Sequence, residues 1–348
     1  MKKFMTIMLA AMMAATMLFG CGAQEEPAPA EPETKEEQSA EEEKPAEEKP
    51  EAAVEGFPIY YPSWMQEENG EALVLEQKPE KAVILSNSAL QIAVRNDIKP
   101  IAITNPTASV TYPDWVGELP VIKTGMSELD IEGVIALEPD LVIMGSHLKE
   151  DYGKQLDDAG IPVYYTSEGP SITYSEVKEE AITLSRSFGG DAAAKEVEDE
   201  FAAVEKRAAE FKESHESKQT MILFGAPPSH QQTSKGYLGS ILSMLPFENL
   251  SDTLIDPEDR TAPLDLEKLV ELNPEVIFAI SPTAPTAEVI KGVYTEEFGK
   301  TPDIWNALQA VENDNIIYLS NEYVTSKGIH IIESINKLMD MLDEKFPE

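Results

Sequence analysis

The chain has 348 residues, 64 Asp and Glu against 27 Lys and Arg, and a formal charge of −37. So acidic a sequence argues against nucleic acid or an anionic membrane surface as partner, because both need basic patches. Its single cysteine, Cys21, leaves no disulfide, no cysteine-ligated metal site and no cysteine nucleophile in the folded part.

Lys2 and Lys3 precede an apolar run from Phe4 to Phe19, which predicts a secretory signal peptide over residues 1–20, too short for a membrane span. Gly20-Cys21 resembles a bacterial lipobox. That resemblance implies cleavage before Cys21, a diacylglyceryl group on its thiol, and retention on the outer face of a membrane. An ordinary exported protein with an incidental cysteine is the alternative. Residues 21–56 are mostly Glu, Pro, Ala and Lys and have almost nothing to bury, so they are expected to form a disordered, extended spacer. About 290 residues remain, enough for two lobes of ordinary domain size.

The first lobe is expected over residues 57–173. Asn69-Gly70 is a tight-turn signal between Ile59-Tyr60-Tyr61 and Leu73-Val74-Leu75, and predicts a hairpin. Ala82-Val83-Ile84-Leu85 reads as a buried strand, and Ser86-Asn87-Ser88 opens the next helix. Ile101-Ala102-Ile103 leads into a polar loop holding Tyr112 and Trp115. Then comes a stretch that recurs without gaps: residues 129–144 match residues 264–279 in Leu, Asp, Glu, Leu and Pro at fixed spacing. Each copy reads as a short helix capped by Asp130 or Asp265, stopped before Pro139 or Pro274, and followed by a buried strand. Glu132 and Glu267 fall in the first turns, where the helix dipole favours negative charge. The repeat predicts two related α/β lobes. Ile161 to Tyr165 closes the first of them.

Residues 174–214 form the connector. Tyr174 to Phe188 is amphipathic, and Gly189-Gly190 is a helix stop. From 191 to 214, Val197, Phe201, Val204, Ala208 and Phe211 alternate by four and three, predicting one long helix of roughly 35 Å packed on its own protein. A coiled-coil seam is the competing reading of that stripe. The second lobe, residues 215–348, restarts with Met221 to Phe224, opens a helix near Gly236-Tyr237-Leu238-Gly239, and ends in an amphipathic helix from Ile329 to Phe346.

Strands separated by helices predict parallel sheets, whose ligands lie beyond the carboxyl ends of the strands. That rule selects Asn87, Ser88, Asn105, Met126, Ser146 and His147 in the first lobe, and His230, Tyr237 and Tyr323 in the second. Tyr112 and Trp115 join them as aromatic surfaces on which a large flat ligand would stack; packing of Trp115 against its own loop is equally consistent. His215 and His330 read as helical and away from the cleft.

The repeated stretch, Pro79-Glu80-Lys81-Ala82-Val83-Ile84-Leu85-Ser86, Gly236-Tyr237-Leu238-Gly239 and the lipobox together resemble the substrate-binding lipoproteins of iron-siderophore, haem and cobalamin ABC importers. The resemblance covers residues 57–348. It implies two α/β lobes with mainly parallel sheets joined by one long interdomain helix, the class III periplasmic-binding architecture. It further implies an iron or cobalt chelate held between the lobes, no covalent cofactor beyond the lipid on Cys21, and delivery to a membrane permease with its ATPase. Glu132 and Glu267 are then candidate docking carboxylates, although dipole capping already accounts for both. Met126 and His230 are candidate axial ligands of a haem. Cations that would meet an anionic chelate are scarce at the strand ends, with Lys123, Lys235 and Arg260 the nearest. The chain is expected to act as a monomer.

Three other classes are weaker. A membrane-anchored α/β hydrolase lacks support, since Ser86-Asn87-Ser88 has no glycine flanks of a nucleophile elbow and no dinucleotide fingerprint follows a strand. A receptor for a free transition-metal ion needs several converging His and carboxylate ligands, and the chain has four histidines. An adhesion or sensor lipoprotein is the third.

Overall fold

The computed structural model describes residues 55–125, 128–167, 172–225, 227–256, 259–325 and 327–347. The signal peptide, Cys21, nearly all of the spacer and Met126 lie outside the described residues.

The described chain opens with β1 (Phe57–Tyr60), α1 (Gln66–Asn69) and β2 (Ala72–Leu75). β1 and β2 pair antiparallel, Phe57 opposite Leu75, as the apolar runs predict. No tight turn joins them, however. Asn69-Gly70 instead terminates α1: Gly70 takes φ 80, and its N–H donates to the Gln66 carbonyl at 2.9 Å. Glycine adopts that backbone without steric cost, which is why the same dipeptide signal serves either purpose.

The first α/β half comprises β3 (Ala82–Ile84), α2 (Asn87–Arg95), β4 (Ala102–Ile103), α3 (Ile131–Ala136), β5 (Leu141–Gly145), α4 (Lys154–Asp158) and β6 (Val163–Thr166). Its sheet runs β4-β3-β5-β6, parallel throughout. Both faces are buried, so alternate residues serve different cores. Ala82, Ile84, Leu141 and Ile143 enter a main core, while Val83, Val142 and Met144 pack with Leu129 and Val134 on the other side.

α5 spans Tyr174–Ser214, 41 residues. It begins with a capping box in which Thr173 Oγ1 accepts from the Glu176 N–H and Glu176 Oε2 accepts from the Thr173 N–H at 2.6 Å. Gly190, at φ 77 and ψ −173, divides it into two helical segments at the place the Gly-Gly pair marks. Beyond the break, Val197, Phe201, Val204 and Ala208 are each at most 2% exposed. That stripe lies in the main core with Ile84 and Ile143 of the first sheet and Ile222 and Phe278 of the second. The stripe is thus engaged within its own chain.

The second half comprises β7 (Lys218–Phe224), β8 (His230–Gln232), α6 (Tyr237–Leu242), β9 (Phe247–Asn249), β10 (Thr261–Pro263), α7 (Leu266–Leu272), β11 (Val276–Ile280), α8 (Ala287–Phe298), α9 (Pro302–Asn306), α10 (Gln309–Glu312), β12 (Ile316–Leu319), α11 (Glu322–Thr325) and α12 (His330–Lys345). Its strand order is β10-β8-β7-β11-β12, with β9 beside the start of β7. β7, β9, β11 and β12 are parallel, whereas β8 pairs antiparallel with both β7 and β10 and makes this sheet mixed at one edge.

The sequence repeat is also a repeat in space. Asp130 accepts from the Gly133 N–H at 3.0 Å, and Asp265 accepts from Glu267 and Lys268 at 3.0 and 3.1 Å. The residue before each proline is left-handed, Glu138 at φ 48 and Asn273 at φ 43. The carboxylate after each proline reaches the start of the neighbouring strand. Asp140 accepts from the Glu80 and Lys81 N–H groups at 2.7 and 2.9 Å, and Glu275 from that of Gln219 at 2.8 Å. These staples fix the register of β3 on β5 and of β7 on β11.

Two outcomes follow from this packing. A Cβ on Gly190 would have no atom within 4 Å, so Gly190→Ala costs backbone conformation alone, about 1–3 kcal/mol in urea unfolding. Tyr61 stacks on Tyr164 at 4.3 Å between ring centroids, and burial pushes its phenol up to about 12. A raised phenol keeps its full contribution below its ordinary value near 10 and loses it as pH rises through the folded value. Stability measured in urea is therefore expected to fall between about pH 10 and 12, and a Tyr61→Phe variant to lose less over that range.

Candidate functional site

At the carboxyl end of β3, Ser86 caps α2 through the Ala89 N–H at 3.4 Å and pairs its hydroxyl with that of buried Ser88 at 3.0 Å. Asn87 donates to the Asn105 carbonyl at 3.2 Å and accepts from the Thr107 N–H at 3.1 Å. The Asn87 side chain thus holds the loop after β4 at Asn105 and Thr107, while Ser88 is tied to Ser86. Ser146 and His147 open a short helical turn after β5, Ser146 half-buried and His147 exposed. Trp115 packs on the main core with the Lys99 ammonium 5.9 Å from its ring centre.

In the second half, His230 is half-buried at the start of β8, opposite Phe224 at the end of β7. Tyr237 is buried at the start of α6, with Lys327 Nζ 5.9 Å from its ring, and Tyr323 is buried in α11. Desolvation raises both phenols, with the Glu322 carboxylate adding to each. Met126 lies outside the described residues, so the structure gives no geometry for the Met126–His230 pair. Glu132 and Glu267 are exposed in the first turns of α3 and α7. The nearest cations already have partners: Lys123 with Glu128 at 3.5 Å and Arg260 with Glu176 at 3.4 Å.

A groove of about 610 Å³ lies between the two halves. One wall is α2 and the loop 110–112, the other is residues 329–336, and Glu200 of α5 contributes between them. The volume suits a small organic ligand or chelate. Two polar atoms on this groove are buried without a hydrogen-bond partner, Tyr112 Oη from the first half and His330 Nε2 from the second. Burial pushes the Tyr112 phenol well up, so it stays a neutral donor and acceptor. His330 turns its other nitrogen, Nδ1, toward Glu333 Oε2 at 3.3 Å. Lys337 in turn holds the Glu333 carboxyl below its usual range through a 2.8 Å contact.

The charge in the groove is neutralised. Arg95 meets both oxygens of Glu200, at 2.9 and 2.5 Å, and Glu196 stands 3.8 Å away. Tyr112 Oη and His330 Nε2 are both shut off from solvent in this structure, although the residues that carry them line the groove. Among the described residues no group of three or more His, Cys, Asp or Glu side chains gathers around a metal-ion position.

Of the residues selected from sequence, Tyr112 lines this groove. His330, expected on a helix away from the strand-end cleft, is the first residue of α12 and lines this groove. Gln91 and Arg95 also line the groove, and inside the amphipathic pattern of α2 nothing distinguished them.

The family described as periplasmic binding protein matches residues 83–323. The chain is 25% identical to an uncharacterised ABC transporter substrate-binding lipoprotein, YvrC, of Bacillus subtilis, covering 98% of each. It is 22% identical to a cobalamin-binding protein of Halobacterium salinarum, covering 82% of this chain and 72% of that one. The solved structure of Staphylococcus aureus IsdE complexed with heme superposes with a TM-score of 0.61 at 21% identity, over 77% of this chain and 100% of that chain.

Tyr112→Phe removes a buried hydroxyl that has no partner. The ligand-free protein is expected to hold its stability or gain up to about 1 kcal/mol in urea unfolding, the reverse of an ordinary core tyrosine.

Proposed function

Since the chain belongs to the periplasmic binding protein family, we propose that it is the substrate-binding lipoprotein of an ABC importer for a metal chelate. Its cargo is an iron-siderophore, haem or cobalamin, held between the two halves and passed to a membrane permease driven by an ATPase. The observation that carries this reading is the groove itself: both halves line it, and each contributes one buried polar atom with no partner of its own. Such atoms cost free energy until something satisfies them, and side chains that shift as a ligand enters the groove would give both a partner. A site assembled from two halves also makes ligand binding favour one relative placement of them, the signal a permease needs to distinguish loaded from empty receptor.

The remaining assignments belong to the same proposal. Residues 1–20 direct export, Cys21 carries the lipid, and the spacer lets the folded part stand off the membrane. Residues 57–173 and 215–348 are the lobes, joined by 174–214. Similarity to a substrate-binding lipoprotein supports the extracytoplasmic location, and among the described residues no helix is long and apolar enough to cross a membrane. Glu132 and Glu267, both exposed, are the carboxylates offered to the permease. Asn87, Asn105 and Ser146 stand at the strand ends as further polar contacts for the cargo.

A panel of haem, cobalamin and several ferric siderophores, followed by tryptophan quenching and calorimetry, tests the reading. One member is expected to bind saturably without product, and Tyr112→Phe and His330→Leu each to weaken it about tenfold or more, the loss of one hydrogen bond to a buried partner. No saturable binder in the panel, or unchanged affinity in both variants, would overturn it.

A further inference from the structure

α12 starts without a cap of its own. Its first residue is His330, and the residue before it, Ile329, has no side-chain oxygen to accept the N–H groups that every helix start leaves open. The His330 N–H is satisfied from the other half of the molecule. It donates to Gln91 Oε1 of α2 at 2.9 Å, across 239 positions of sequence. The same amide donates through Nε2 to the Lys327 carbonyl at 2.8 Å. Gln91 is 6% exposed and lines the groove, so these bonds are shielded from solvent. Next to them Gly328, at φ 77, presses on α2 closely enough that a Cβ would stand 3.0 Å from both Gln91 Oε1 and Ser88 Cα.

We propose that Gln91 is the positioning residue of the groove: by capping α12 across the two halves, it fixes where His330 presents its imidazole and pins the seam about which the halves move. The inference does not depend on the cargo. Two hydrogen bonds in the 2.8–2.9 Å range, one buried and one part-buried, tolerate little displacement. Parting α2 from residues 327–330 strands a carbonyl, an N–H and both ends of an amide unless water follows them in. α2 packs in turn on α5, so the seam is held on one side by the element that joins the halves. Motion of the halves therefore pivots here, and the groove widens at places farther from Gln91.

Three variants of the full chain test this. Gln91→Met keeps the length and removes both bonds. Gln91→Glu keeps an acceptor for the His330 N–H, at a helix start where a carboxylate is favoured, and loses the donor to Lys327. Gly328→Ala pushes the turn off α2 from the other side. Site-resolved hydrogen exchange reads the His330 amide. Spin labels on Glu150→Cys and Glu288→Cys, exposed on separate halves, with Cys21→Ser removing the remaining thiol, read the distance between halves. The His330 amide is expected to be protected in the unsubstituted protein, to exchange about tenfold faster or more in Gln91→Met and Gly328→Ala, and to stay protected in Gln91→Glu. The distance distribution broadens in the first two variants and stays narrow in the third. A His330 amide already unprotected in the starting protein, or Gln91→Glu behaving as Gln91→Met, would overturn the assignment. So would an unchanged distance distribution in Gln91→Met or Gly328→Ala.

Discussion

Burial of one helical face holds this molecule together. Val197, Phe201, Val204 and Ala208 give α5 a single apolar stripe, and both sheets turn their inner residues toward the same core. α2 adds Leu90 and Ile92 to that core and α12 adds Ile335 and Leu338, while the opposite faces of the sheets are closed by separate clusters built from their own halves. α5 packs on α2 on one side and on α12 and α6 on the other, and so restricts how the halves can be placed. Removing a ring such as Phe201 would open a cavity in this core, a loss on the order of 3–5 kcal/mol. Everything that lies between the halves, the groove included, inherits its geometry from this shared packing.

The repeated stretch explains how much of the fold could be read from residues alone. Aspartate caps, proline stops and short branched runs act locally, within a few positions, so α3, β5, α7 and β11 fall where those signals put them. The break at Gly190 was legible for the same reason. What escaped depends on partners distant in sequence. The Asp140 and Glu275 staples need the neighbouring strand to be in place, and the mixed edge formed by β8 and β10 is a matter of pairing that no local pattern encodes. Asn69-Gly70 shows the limit from the other side: glycine's freedom ends a helix as readily as it turns a hairpin, and only the surrounding structure decides which.

Site residues were less legible than the fold. The strand-end rule directs attention to the crevice between halves and to Asn87, Ser88 and Asn105, whose polar groups turn out to bind one another or the adjacent loop. The groups left wanting a partner, Tyr112 Oη and His330 Nε2, became visible only once burial was known. Periodicity reports which face of a helix is apolar. It does not report which polar atom on that face has been left without a bond.

The pairing of Arg95 with Glu200 and Glu196 has a consequence for kinetics. Among the cations of the groove wall, this guanidinium would attract an incoming anion, yet two carboxylates offset it in a chain that is acidic throughout. A negatively charged cargo would approach against the long-range field. Raising ionic strength shortens the reach of that field to about 10 Å at 0.1 M, so salt would speed the encounter of such a molecule and slow that of a cationic one.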